Sequence, residues 1–334
     1  MDSSTSHSDQ CFPSRALGLL LVAIAAWSGS ALYSVRLNPE VTHYVQGASI
    51  KNTWADRMTR EYGRKNLIFG GSATEFSIDG ERMLTMHGLP MVNYGRSAGM
   101  GPCVLTESVL ESVRSGDTLI VSLEPVLLTE RLSQSSLGVQ FSFAMRHSDW
   151  VVRPVLGVGR INWLQAATLL RPGGYHSFTL IGKLLGRQPL YRYRLSDFRP
   201  SGWKQTAVNL PLAGPVGPGP QLSPESLTLL RRLRGWCDAR GIRVAYALPW
   251  SHTPAEGMRK FQRQNVRFLL QMAEILPVLK DPNLGADAVT EHFSDTPLHS
   301  NIAGAALHTD ELAREIKNWE TWSIEELQYL NSHL

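Results

Sequence analysis

The sequence predicts an α/β domain on a mostly parallel sheet, preceded by one transmembrane helix. Three observations lead there. Short apolar runs alternate with helical stripes along residues 66–124 and again along 223–318, the pattern of βα units and a parallel sheet. The runs are continuously apolar, as strands buried on both faces must be. Residues 16–35 form a 20-residue stretch without a charge. At ~1.5 Å per residue it is long enough for the ~30 Å hydrocarbon layer of a bilayer.

Taken in order, residues 1–15 are a short tail and 16–35 a signal-anchor helix bracketed by Arg15 and Arg36. A cleaved signal peptide is the alternative, because Ser28-Gly29-Ser30-Ala31 offers small residues after an apolar run. The flanking charges do not set the orientation. A short tail inside and a large domain outside the cytoplasm is the expected arrangement, which makes the lipid bilayer a partner through 16–35.

The domain is expected over 41–334, beginning with a partly helical connector at 41–65. Asn66-Leu67-Ile68-Phe69 reads as a strand ending in Gly70-Gly71, with a helical stretch from about Ser72. Met91-Val92-Asn93 is a second short run ending at Gly95. Apolar positions 104, 105, 109, 110 and 113 make a helical stripe opened by Pro102 and closed before Gly116. Residues 118–123 are a buried strand. Later come a helix from Ser223 to about Arg240, a strand at 242–248 and a helix around 258–272. A short run at 275–279 is weakened by Pro277, and a C-terminal helix carries Ile302, Ala306, Ala313 and Ile316.

Residues from about 125 to 222 break the pattern and read as an insertion over one end of the sheet, either a substrate lid or padding. They close on a proline-rich stretch, Pro211 to Pro224, expected to be an extended loop. Cys103 and Cys237 lie in apolar helical patterns and are expected to be buried free thiols.

Composition excludes several classes. A hydrophobic content of 43% and a net charge of +4 argue against disorder and against a multi-span membrane protein. No Lys/Arg run marks nucleic-acid binding. No Walker loop, HExxH or GxGxxG is present, nor a GxSxG elbow. No metal and no cofactor are expected.

In an open α/β sheet, ligands bind beyond the carboxyl ends of the strands. There Gly70-Gly71-Ser72 opens a helix, so Ser72 reads either as a nucleophile whose own N–H helps hold an oxyanion or as a simple N-cap. The loop after the second run, Asn93 to Gly99, could present a glycine N–H toward the same point. Before the last helix, Asp295 precedes His299 by four residues with Pro297 between. The pair reads either as a base with its orienting acid or as a surface Asp beside a satisfied His. His252, after the 242–248 strand, lies at the same edge as a possible cleft residue.

Taken together, GGS after the first strand, a Gly/Asn loop after the second and D-x-x-x-H before the final helix resemble the SGNH (GDSL-like) hydrolases. The likeness is strongest to membrane-anchored bacterial members related to cell-surface polysaccharide O-acetyltransferases. It covers about 66–124 and 241–318. It implies a three-layer α/β/α, flavodoxin-like fold with Ser72 as nucleophile, His299 as base and Asp295 as acid. It further implies that the N–H groups of Ser72 and Gly99, with Gly95 the alternative to Gly99, are oxyanion donors. Two departures stand out. The family spacing is D-x-x-H, one residue shorter, and its third-strand loop carries an Asn where this chain has Ser122-Leu123-Glu124-Pro125. An ionised Glu124 cannot donate, which leaves it substrate binding or holding the loop. The implied activity is ester hydrolysis or acyl transfer on O-acyl, above all O-acetyl, groups of envelope carbohydrate. The alternative is an inactive scaffold or binding module of a surface-polysaccharide assembly.

Overall fold

A computed structural model describes residues 11–172, 174–206, 217, 219 and 221–334. Most of the 211–224 stretch therefore lies outside the described residues. Helix α1 (Cys11–Leu32) continues through a π-helical turn, Tyr33–Leu37. The segment Arg15–Leu37 has a mean hydropathy of 1.8 and is long and apolar enough to cross a membrane.

The expected connector is a long helix, α2 (Pro39–Tyr62). The Asn38 side chain caps it by accepting from the Glu40 N–H, and Pro39 occupies the first turn. Its buried stripe runs through Val41, Tyr44, Ala48, Trp54, Ala55 and Met58, with Lys51 also buried in the row.

Strand β1 (Asn66–Gly70) is followed by two short helices rather than one, α3 (Ser72–Ser77) and α4 (Gly80–His87). The chain breaks at Ile78-Asp79 because the Asp79 carboxylate accepts from Glu81 and Arg82 N–H and starts α4 afresh. Then come β2 (Met91–Asn93), α5 (Pro102–Leu110) and β3 (Thr118–Ser122).

The insertion is helical: α6 (Pro125–Thr129), α7 (Ser136–Ala144), α8 (Asp149–Val152), α9 (Trp163–Leu169) and α10 (Gly174–Leu185). The pattern resumes with α11 (Pro224–Asp238), β4 (Arg243–Tyr246), β5 (Ser251–His252), α12 (Met258–Ala273), β6 (Ala286–Asp287), α13 (Ile302–Asn318) and α14 (Ile324–His333).

Strands β2-β1-β3-β4 form one sheet, all parallel. The expected strand at 275–279 reduces to two isolated bridges, Val278 parallel to Tyr246 beside β4 and Leu279 antiparallel to Thr321. Pro277, which has no N–H, contributes only its carbonyl, to the Tyr246 N–H.

Side chains alternate across the sheet. Leu67, Phe69, Leu119, Val121 and Tyr246 join one hydrophobic cluster. Ile68, Ile120 and Ala245 join a second, with Met83, Leu312 and Ala313. Both faces are therefore covered, which accounts for the unbroken apolar runs. Cys103 and Cys237 are buried free thiols, as expected. Strand order reverses at β1: β2 lies on one side, β3 and β4 on the other. The crevice at such a reversal is flanked by the loops after β1 and β3.

Candidate functional site at the carboxyl ends of the strands

The loop after β1 is built by close approach. A side chain at Gly70 would meet the Ser122 carbonyl at 2.1 Å, and one at Gly71 would lie 2.3 Å from both Glu124 carboxylate oxygens. Only glycine fits. Gly71, not Ser72, occupies the N-cap position, and no side chain of its own caps the helix. Glu124 does so from the neighbouring loop: its two oxygens accept from the Gly71 N–H at 2.9 Å and the Ala73 N–H at 3.0 Å.

Glu124 therefore holds the loop. Burial raises its pKa, and the N–H bonds act against that rise without cancelling it. Ser72, between those two amides, is the first helical residue, so its N–H has no partner within the helix. Its half-buried hydroxyl has no hydrogen-bond partner among the described residues.

Helix α3 is pinned on every side. Thr74 Oγ1 donates to the Ser122 carbonyl at 2.8 Å, and the Asn93 amide donates to the carbonyls of Thr74 and Ile78 at 2.8 Å each. Ser77 Oγ lies 2.8 Å from Ser300 Oγ. This last contact brings the C-terminal loop onto the helix that Ser72 opens.

That loop carries the second half of the site. His299 Nδ1 lies 2.7 Å from Asp295 Oδ1, so the structure brings the predicted pair together. The imidazole stacks on Phe76, with ring centroids 4.1 Å apart and planes at 22°. Phe76 lies four residues after Ser72 and so on the same helix face.

The other carboxylate oxygen of Asp295 accepts from Tyr193 Oη at 2.7 Å and pairs with Arg192 Nη1 at 3.0 Å. Burial would raise the Asp295 pKa. The His299 bond, the Tyr193 hydroxyl and the Arg192 charge outweigh it and hold the carboxyl well below the usual range. Asp295 is thus an anion at neutral pH, able to stabilise a positive imidazole.

Behind α3 sits a buried charge cluster. Glu75 pairs with Lys204 at 2.7 Å and with Lys51 at 3.4 Å. Burial would raise Glu75, yet the two ammonium groups hold it low. Burial depresses Lys51 to about 7 against the pull of Glu75. The Lys204 ammonium lies 4.7–5.2 Å from the ring centroids of Tyr44, Phe76, Tyr193 and Phe198, an aromatic cage.

The glycines of the second loop are differently placed. The Gly95 N–H donates to Asn93 Oδ1 at 2.8 Å and is committed there. The Gly99 N–H, on an exposed turn, donates to Ser97 Oγ at a longer 3.2 Å. His252 is a brace: its N–H donates to the Pro297 carbonyl at 2.7 Å, and its Nε2 lies 3.1 Å from Thr290 Oγ1. Ligand-type atoms of Glu111, His147 and Asp149 lie within 4.8 Å of one another. Glu111 is already engaged there by Trp150 Nε1 and His147 Nδ1 at 2.8 Å each, and none of the three belongs to the Ser72 site.

Sequence reasoning did not reach Phe76, Arg192, Tyr193 or the Lys51–Glu75–Lys204 cluster. The only local signal was the run Tyr191-Arg192-Tyr193-Arg194, which alternates aromatic and basic residues. No family model and no curated protein matches the chain.

Proposed function

We propose that this chain is a membrane-anchored, SGNH-like serine esterase or acyltransferase with a three-layer, flavodoxin-like domain. Its substrate class is O-acylated, above all O-acetylated, envelope carbohydrate, and the domain lies outside the cytoplasm. One observation carries the reading: the buried Asp295–His299 pair stacks on the helix face that begins with an unpartnered Ser72 hydroxyl. In this scheme Ser72 Oγ attacks the acyl carbon and its proton passes to His299 Nε2. The imidazolium, balanced by Asp295, then gives that proton to the departing alkoxide. Water or a second hydroxyl takes the acyl group from Ser72 in the return half. In this scheme the Ser72 N–H serves the developing oxyanion, and the Gly99 N–H, held only by the longer bond to Ser97, is the second donor.

A specific observation also supports the rival reading, a non-catalytic binding module. The Glu124 carboxylate occupies the amides on both sides of Ser72, where a catalytic site gains from donors rather than acceptors. Losing one oxyanion donor costs about 10²–10³ in rate. Labelling the full chain with a fluorophosphonate probe separates the two. Labelling abolished by Ser72→Ala supports the enzyme. An unlabelled wild-type chain, shown folded by its thermal transition, supports the module.

A further inference from the structure

Helix α10 is inside out. Phe178, Ile181, Leu184 and Leu185 are 78%, 53%, 58% and 82% exposed. Three of them, Phe178, Ile181 and Leu185, follow the i, i+3, i+7 spacing of one helix face. The opposite face, with His176, Thr179 and Lys183, lines a cavity of about 260 Å³ against Asn38 and Glu40 at the start of α2. A helix on a soluble domain buries its apolar face; this one presents it outward.

The helix also stands beside the membrane anchor. The Tyr33 and His176 rings are 6.3 Å apart. A groove between Ala26, Trp27 and Ser30 of α1 and Thr168, Leu169 and Arg171 of the insertion continues this contact. Residues 16–29 of the apolar segment are exposed throughout; from Ser30 onward the domain covers it in part, burying Ser34 while Leu32 and Leu37 stay exposed. Fourteen helical residues span ~21 Å, short of the ~30 Å hydrocarbon layer. With the domain edge reached at Ser30, seating that edge ~9 Å deep makes up the difference, within the ~5–10 Å depth at which interfacial helices lie.

Charge agrees. Residues 150–196 hold seven of the chain's 33 basic residues and none of its 29 acidic ones, so the rest of the chain is net negative. Arg171 and Arg187, on either side of α10, are exposed, as expected for an interfacial helix on anionic lipid.

We propose that α10 lies on the surface of the bilayer that α1 spans, with Phe178, Ile181 and Leu185 in the acyl boundary and the basic insertion against anionic headgroups. This rests on reading α1 as a membrane anchor, and not on the esterase reading. It also places the active-site clamp close to lipid, because Leu190, Tyr191 and Arg192 share the α10 cavity and Arg192 reaches Asp295.

The test uses the full chain in phosphatidylglycerol-containing vesicles, in a Cys11→Ser background. Cys103 and Cys237 are buried, so a single added cysteine takes an environment-sensitive fluorophore. Probes at Phe178→Cys and Leu185→Cys are expected to shift blue. Shallow nitroxide lipids should quench them several-fold more than a probe at the exposed Thr85→Cys. A probe at Val22→Cys reports the anchor and should be quenched by deep nitroxide lipids. If Val22 is quenched while 178 and 185 match Thr85, the α10 proposal is overturned and the anchor stands; a protein partner for that face would give this result. If Val22 is not quenched, the anchor reading falls and the proposal with it.

Discussion

Replacing Glu124 by Gln tests how the Ser72 loop is held. The change keeps size and shape and alters one atom of the pair that grips the loop. Today the two carboxylate oxygens accept from Gly71 N–H at 2.9 Å and Ala73 N–H at 3.0 Å. A glutamine satisfies one amide with its carbonyl and points an NH₂ at the other, donor against donor. A hydrogen bond to a charged group is worth about 1.5–3 kcal/mol, and a buried unsatisfied amide costs about 1–3 kcal/mol. Allowing for the desolvation that an uncharged side chain avoids, the net loss is about 2–3 kcal/mol. At roughly 2–4 °C per kcal/mol for a domain of this size, Tm should fall by about 5–10 °C. The assay is thermal unfolding of the detergent-solubilised chain by circular dichroism, with fluorophosphonate labelling measured well below the transition. Labelling of Ser72 should fall as well, because the residue sits between the two amides. A Tm within about 1 °C of wild type would refute the idea that Glu124 holds this loop, since it would mean that neither bond carries net weight.

Two further substitutions test the acid end of the site and a buried histidine away from it. Tyr193→Phe removes one neutral hydroxyl bond to Asp295 and leaves the ring against Lys204, so kcat for an acetyl ester should fall by about tenfold, from roughly 1.4 kcal/mol, with Tm nearly unchanged; an unaltered kcat would show that the bond does not position the pair. His308 is buried, stacks on Trp250 at 4.5 Å and is held by burial at about 3, so between pH 6.5 and 3 the unfolded chain takes up a proton that the folded chain refuses. Stability from this group is therefore full above pH 6.5 and lost as pH falls, by up to ~1.4 kcal/mol per pH unit. His308→Phe should shrink the drop in Tm between pH 7 and 4.5, and an identical drop in both proteins would count against it.

Much of this arrangement is legible in the sequence, for reasons that are local. The strands announce themselves because both faces are buried, so no polar residue interrupts Leu67–Phe69 or Leu119–Val121. Asp295 and His299 are four residues apart, and Ser72 follows two glycines, one pressed on the Ser122 carbonyl and one on the Glu124 carboxylate; neither motif needs a distant partner to be seen. Helix α2 is legible only as a partly helical connector because Lys51 stands in its apolar row. The lysine is tolerated only because Glu75, 24 residues later, and the carbonyls of Gly95 and Gly202 receive its ammonium. The break after α3 was hidden because Asp79 reads as an ordinary polar residue until its carboxylate is seen capping α4. Tyr193 meets Asp295 across 102 residues, and nothing at either position signals the other.

The insertion is joined to the proposed triad, because two of its side chains hold the acid end. Asp295 gives one oxygen to His299 and Ser294 and the other to Tyr193 and Arg192. The Tyr193 ring packs on the Lys204 ammonium, which is paired with Glu75, the residue before Phe76. Phe76 in turn carries the His299 ring. The contacts close on themselves: from α3 to Lys204, to Tyr193, to Asp295, to His299 and back to α3. Each link is a packed ring or a bond to a buried charge, and breaking a buried ion pair costs about 3–5 kcal/mol because an uncompensated charge remains. A βα core carrying only Ser72, Asp295 and His299 would leave half of the Asp295 carboxylate without partners and the imidazole without the edge contact of Tyr193, 6.5 Å between ring centroids. Loss of the 186–206 segment would therefore disorder the imidazole before it unfolded the sheet, whose own strands are joined without it.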